Sequence, residues 1–118
     1  MTLDKNQRAM MLRESWPLLF TQEPLKPMKT GIMQDLITDA EKRKIDFPGL
    51  EIGKALKRYT RTIPYQLALA SDSQRYDIHG QPDGVVTEEQ RQMALTWLKN
   101  NPNYPQDAEK SDVAKKAR

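Results

Sequence analysis

Between Ile52 and Ile63 the chain has two faces. Lys54, Lys57, Arg58 and Arg61 recur at i, i+3, i+4 and i+7, while Ile52, Ala55, Leu56, Tyr59 and Ile63 fall between them. At the α-helical period these become opposite sides of one helix. Such a segment must lay its apolar side on a core and leave four cations in water. Like charges one turn apart repel by about 0.2–0.5 kcal/mol per pair, so the pattern carries a stability cost. A nucleic-acid backbone, an acidic protein surface or anionic lipid would offset that repulsion. The competing reading is a merely solvated face, and spacing alone weighs the two evenly.

The rest of the chain sets the scale of the fold. A length of 118 residues allows one domain with a modest core. Eight prolines and five glycines cut it into short elements and exclude a long helical repeat. The hydrophobic fraction of 37% and a mean hydropathy of −0.81 imply that part of the chain stays solvated. Net charge is only +3, so overall charge argues weakly for a polyanionic partner. Segregation argues better. From residue 26 to residue 61, nine Lys or Arg stand against five Asp or Glu, which leaves the remainder slightly acidic. The absence of cysteine excludes a disulfide scaffold, a thiolate metal site and a cysteine nucleophile. The opening MTLDKNQRAM lacks the apolar stretch of a signal peptide, and no run approaches the roughly 20 apolar residues of a membrane span. A soluble cytoplasmic protein is expected.

Read in order, the segments predict a mainly α fold, α+β in detail, with one small hairpin. A first helix runs from an Asp4 cap to Trp16, where Pro17 ends it; Ala9, Leu12 and Trp16 share a face. Residues 21–29, with Pro24 and Pro27, read as an extended loop. A second helix starts near Gly31, with Ile32, Met33, Leu36, Ile37 and Ala40 as its core stripe. Residues 46–49 break the chain before the basic helix. Pro64 disfavours α at Ile63 and suits the first turn of a new helix, so that Thr62 or Arg61 sits at or just before its cap. Residues 75–78 and 85–86 read as a hairpin joined by Gly- and Pro-bearing turns. Thr87 and Gln90 form a capping box for a last helix whose apolar face is Met93, Ala94, Trp97 and Leu98. The domain is expected to span 1–101, with 102–118 a flexible tail that continues in a longer protein.

Three blocks of residues, in order, resemble the ProQ/FinO family of RNA chaperones. Residues 27–36 (PMKTGIMQDL) are similar to the family's P-L-K-x-G-I-x-x-D-L segment. Residues 55–60 (ALKRYT), followed by Tyr65, resemble its A-L-x-x-Y-T…Y element. Residues 75–89 (RYDIHGQPDGVVTEE) resemble its R-x-D-L-x-G-x-x-x-G-x-V-x-x-E hairpin. The likeness runs from about Trp16 to Leu98. It implies a compact helical FinO-like domain, and RNA partners in the form of small RNAs and messenger 3′ ends. The preferred RNA would be a terminator hairpin with a single-stranded 3′ U tail. Lys29, Lys57, Tyr65 and Arg75 match positions that bind RNA in the family. The chain departs from it at Gly49 and Gly53, where a relative carries Lys and Arg, and at Pro64, which replaces an Arg.

The candidate RNA-binding residues are therefore Lys29, Lys54, Lys57, Arg58, Arg61, Thr62, Tyr65 and Arg75. A basic helix can grip successive phosphates of an A-form stem. The start of the helix near Thr62 would turn unpaired N–H groups toward a phosphate or a terminal ribose. Tyr65 would stack on a base or donate to a phosphate, against the commoner fate of a half-buried core ring. Arg75 would close the pocket, against a surface ion pair with Asp77 or Asp72. Other residues read plainly. His79 is the only histidine and lacks partners for metal or triad chemistry. Asp35 and Asp39 at i, i+4 suit capping or a solvated face better than a cation, and Trp16 and Trp97 are at core spacing. No catalytic constellation, cofactor or metal is implied. The expectation is a monomeric, non-enzymatic RNA-binding protein. The rival is a protein-interaction adaptor that docks its basic helix on an acidic partner.

Overall fold

The computed structural model describes residues 3–104. Six helices and one hairpin follow in order: α1 (Lys5–Ser15), α2 (Pro17–Phe20), α3 (Ile32–Lys42), α4 (Gly49–Thr60), α5 (Ile63–Ser71), β1 (Gln74–Tyr76), β2 (Pro82–Val85) and α6 (Glu88–Lys99). The fold is mainly helical with a two-stranded antiparallel sheet, as the sequence predicts. Of the expected tail at 102–118, residues from 105 onward lie outside the described residues.

Local chemistry fixes the helix ends. The Asp4 carboxylate accepts from the Gln7 N–H, and the Gln7 side chain accepts from the Asp4 N–H, both at 2.8 Å. Thr87 and Gln90 repeat this box at the start of α6, at 3.1 and 2.9 Å. Pro17 does more than end α1. It occupies the first position of α2, where a missing N–H is harmless, and the four-residue helix drives Leu19 and Phe20 into the core. Similarly, Ile63 rather than Pro64 is the first residue of α5; Thr62 caps it and the proline sits within its first turn.

The main core gathers Leu12, Trp16, Leu19 and Phe20 with Ile32, Leu36, Phe47, Ile52, Leu56 and Tyr65. Ala68, Val86, Ala94 and Leu98 are buried where α6 packs on α5. Trp16 anchors the core by chemistry as well as area: its ring stacks on Phe47 with centroids 6.2 Å apart, and its indole N–H donates to Asp39 at 2.8 Å. On α3, Ile32, Leu36 and Ala40 are buried, whereas Met33 is 47% exposed. The stripe is narrower than predicted because Met33 is rotated about 100° from Ile32. Met93 on α6 faces water for the same reason. Gly49 lets α4 close on α3, since a Cβ there would lie 3.2 Å from Cδ1 of Ile37.

The hairpin is shifted from its expected boundaries. Gln74 pairs with Val85 and Tyr76 with Pro82, with an irregularity between them. The Asp77 carboxylate accepts from the N–H groups of His79 and Gln81, both at 2.9 Å, which takes Ile78 out of the strand and into the turn. Gly80 supplies the positive φ that this connection needs, and Gly84 has a positive φ within β2. The proline-bearing segment before α3 is extended as expected and also docked. Tyr76 donates its N–H to the Pro27 carbonyl at 2.9 Å and accepts from the Lys29 N–H at 2.8 Å.

Replacing Leu36, which is fully buried, with alanine should destabilise the fold by about 2–5 kcal/mol in chemical denaturation. Met33→Ala should cost less than about 0.5 kcal/mol. Equal losses would mean that α3 presents a different face to the core.

Candidate nucleic-acid interface

The basic helix is held by a buried acid. Glu51 is 5% exposed on the inner side of α4. It accepts from the Arg8 Nε of α1 at 2.9 Å and from the Leu3 N–H at 3.2 Å, and Lys54 Nζ lies 3.6 Å away. The hydrogen bond from Arg8, first among several causes, holds the Glu51 carboxyl below the usual carboxylate range. Glu51 shares a face with Ala55, so an acid on the buried stripe was visible in the sequence. Its partner, 43 residues away, was not.

Turned outward, Lys54, Lys57, Arg58 and Arg61 line one open recess of about 420 Å³ with Thr62. Five of the eight sequence-predicted residues thus meet in one place. Lys57, Arg58 and Arg61 are exposed and have no carboxylate partner among the described residues. Lys54 alone of the four is engaged, through Glu51.

The other three candidates meet around the backbone of Met28. The Tyr65 hydroxyl accepts from the Met28 N–H at 3.0 Å, and Arg75 Nη1 donates to the Met28 carbonyl at 2.7 Å. Arg75 also donates to the Val85 carbonyl at 3.1 Å and to Gln90 Oε1 at 3.1 Å. It pairs with neither Asp77 nor Asp72; its partners are carbonyls and an amide because the hairpin folds it back toward α6. Three of its five N–H donors are used in these bonds, and the guanidinium also lies against the Tyr65 hydroxyl. Lys29, the next residue, bonds Asp35 at 2.7 Å and lies 3.7 Å from Asp83. That hydrogen bond to Asp35 raises the lysine's pKa. Tyr65 is only 3% exposed, so its ring has no open face for a base. Burial, chiefly, pushes its phenol pKa up. Tyr65 therefore acts on the site by positioning the 27–29 segment.

The first turn of α5 joins the two groups. Thr62 donates its hydroxyl to the Tyr59 carbonyl at 2.8 Å and accepts from the Tyr65 N–H at 3.4 Å, a long bond. The Gln66 N–H goes to the Thr62 carbonyl, and Pro64 has no N–H. What the helix start offers outward is thus less than four amides: the N–H groups of Thr62 and Ile63 have no hydrogen bond among the described residues. Asp35 and Asp39 are absorbed by Lys29 and by Trp16 with Arg43. Among the described residues no cluster of His, Cys, Asp and Glu could hold a metal ion.

A small helical domain thus displays, beside a capped helix start, three cations with no carboxylate partner among the described residues. The family is specific. The profile of the ProQ/FINO family matches residues 4–111, and this chain belongs to it. The RNA chaperone ProQ of Shewanella oneidensis is 35% identical over 100 residues, covering 83% of this chain and 46% of the relative. Its counterpart from Shewanella amazonensis is 32% identical, covering 98% and 51%. The chain therefore spans about half the length of these curated relatives. Among solved structures, a FinO-like RNA chaperone from Neisseria meningitidis is similar with a TM-score of 0.66 at 26% identity, covering 95% of this chain and 85% of that one. A ProQ homolog from Legionella pneumophila gives 0.64 at 32% identity, covering 82% of each.

Two outcomes test this geometry. Glu51 titrates below its unfolded value, so its contribution to stability is complete above the ordinary carboxylate range and is lost as pH falls through its folded pKa. Thermal midpoints should drop in acid, and Glu51→Gln should flatten that part of the profile; an unchanged profile would remove the clamp. Tyr65→Phe should cost about 1 kcal/mol by losing the Met28 bond, against about 3–5 kcal/mol for Tyr65→Ala. Equal costs would contradict the buried placement of the ring.

Proposed function

We propose that the chain is a non-enzymatic RNA-binding domain that holds a terminator hairpin by its stem and its 3′ end. The observation that carries this reading is the recess lined by Lys54, Lys57, Arg58, Arg61 and Thr62, in which three cations lack a carboxylate partner among the described residues. A rigid helix with cations one turn apart suits the phosphates of one strand of an A-form stem, whose grooves offer proteins shape, phosphate and 2′-hydroxyl rather than sequence. Beyond the stem, a single-stranded U tail would reach the start of α5. There the Thr62 and Ile63 amides, with the Arg75 guanidinium beside them, suit a phosphate or the hydroxyls of a terminal ribose. Lys29 closes this end from the Met28 side, and Tyr65 keeps Lys29 and Arg75 in register. Relatives called RNA chaperones support the same class of partner.

The consequences would be shielding of small-RNA and messenger 3′ ends from exonucleases and, through that, post-transcriptional regulation. Residues 1–101 are proposed as the binding unit and 102–118 as an extension from it. One copy supplies every cation of the recess, so the proposed unit is a monomer, acting in the cytoplasm where transcripts are. The adaptor alternative would use the same cations on an acidic protein and would ignore RNA ends.

Three phosphate contacts predict a log–log salt slope of about −2 to −3 for a hairpin with a U tail, and Lys57→Ala should flatten it by nearly one unit. A 3′-phosphate on the same RNA should weaken binding at least severalfold. A slope near zero would remove α4 from the interface, and indifference to the 3′-phosphate would remove the start of α5.

A further inference from the structure

Arg58 and Thr62 border a second hollow as well as the phosphate recess. It has a volume of about 530 Å³ and lies between α1, the 20–25 segment, α4 and the first turn of α5. This is within the roughly 300–1,000 Å³ range of small-molecule sites. Its inner surface is apolar and aromatic: Ala9, Leu12, Phe20, Leu25, Ala55 and Tyr59. Phe20 and Tyr59 meet edge to face at 5.0 Å. Four cations, Lys5, Arg8, Arg13 and Arg58, line the hollow against one carboxylate, Glu23. Arg8 is taken by Glu51, while Lys5, Arg13 and Arg58 have no carboxylate partner among the described residues.

An aromatic wall and a cationic lining together suit a flat heteroaromatic ligand flanked by negative charge. A nucleobase within a sugar–phosphate chain has that chemistry.

We infer that the hollow is a nucleobase site, taking one unpaired base of the same RNA whose phosphates lie on α4. The flanking phosphates rest on Arg58 and Arg13, and the base lies against the Phe20 and Tyr59 rings. The inference rests on the RNA reading above, because Arg58 and Thr62 are shared walls that make the two surfaces continuous. It adds a contact with a base to an interface otherwise made of backbone contacts. The paired stem would be gripped by charge and one unpaired nucleotide by fit.

The test is an abasic scan of a U-tailed hairpin, with every unpaired position on either side of the stem replaced in turn by an abasic nucleotide that keeps its phosphate. Affinities are measured for wild type and for Ala9→Phe, which fills the hollow. One position should lose about tenfold in wild type and less than twofold in Ala9→Phe. The inference is overturned if no abasic position couples to Ala9→Phe. Binding of free uridine or adenosine monophosphate without a coupled RNA position would mark a small-ligand site and would also overturn it. Arg61→Ala separates the two readings. If it weakens all the RNAs while no position couples, only the nucleobase site falls; if wild type binds no RNA, both fall.

Discussion

The contact between Glu51 and Arg8 is the constraint on which the display of the basic helix depends. A helix with four cations on one side repels itself along that side. It stays in place because its other side is committed: Ile52, Ala55 and Leu56 are buried, and one carboxylate of the same helix reaches across to α1. A buried acid must be paired to persist, and here one carboxylate is approached by a guanidinium, a backbone N–H and the Lys54 ammonium. The clamp therefore fixes the roll of α4 about its axis. That roll decides whether Lys57, Arg58 and Arg61 face one ligand together or three directions.

The backbone of Met28 plays the corresponding part for the other half of the site. Residues 28, 65 and 75 come from three separate segments, yet the N–H and carbonyl of Met28 are taken by Tyr65 and Arg75. Gln90 receives both Arg75 and the Thr87 N–H, which ties the start of α6 into the same junction. The division of labour is clear in these contacts. Tyr65 and much of Arg75 are structural members that set where Lys29 and the start of α5 stand, whereas Lys57, Arg58 and Arg61 have no carboxylate partner among the described residues. Thr62 belongs to both halves, as cap of α5 and as wall of the recess.

Much of this was legible in the residue order because it depends on local rules. Period and proline placement mark α1, α3, α4, α5 and α6, and the two capping boxes are written as Asp4–Gln7 and Thr87–Gln90. The clustering of Lys54, Lys57, Arg58 and Arg61 follows from helical spacing alone. What could not be read is long-range. Nothing near Glu51 points to Arg8, and nothing near Tyr65 says that its hydroxyl will meet Met28. The two-sided use of Pro17 was missed because a proline that stops one helix is equally suited to begin another. Apolar spacing points Met33 and Met93 inward because it does not tell how wide the buried stripe is, and both are exposed. The hairpin slipped because the Asp77 side chain, rather than the alternation of β formers, decides where the turn begins.

The central claim is that one surface, running from Lys54 along α4 to the first turn of α5, meets the RNA. Backbone amide chemical shifts followed during titration with a U-tailed terminator hairpin report that surface directly. The account predicts the largest changes at residues 54–63, with the amides of Thr62 and Ile63 moving furthest. Changes concentrated on the outer side of α6, around Met93 and Trp97, with residues 54–63 unmoved, would contradict it.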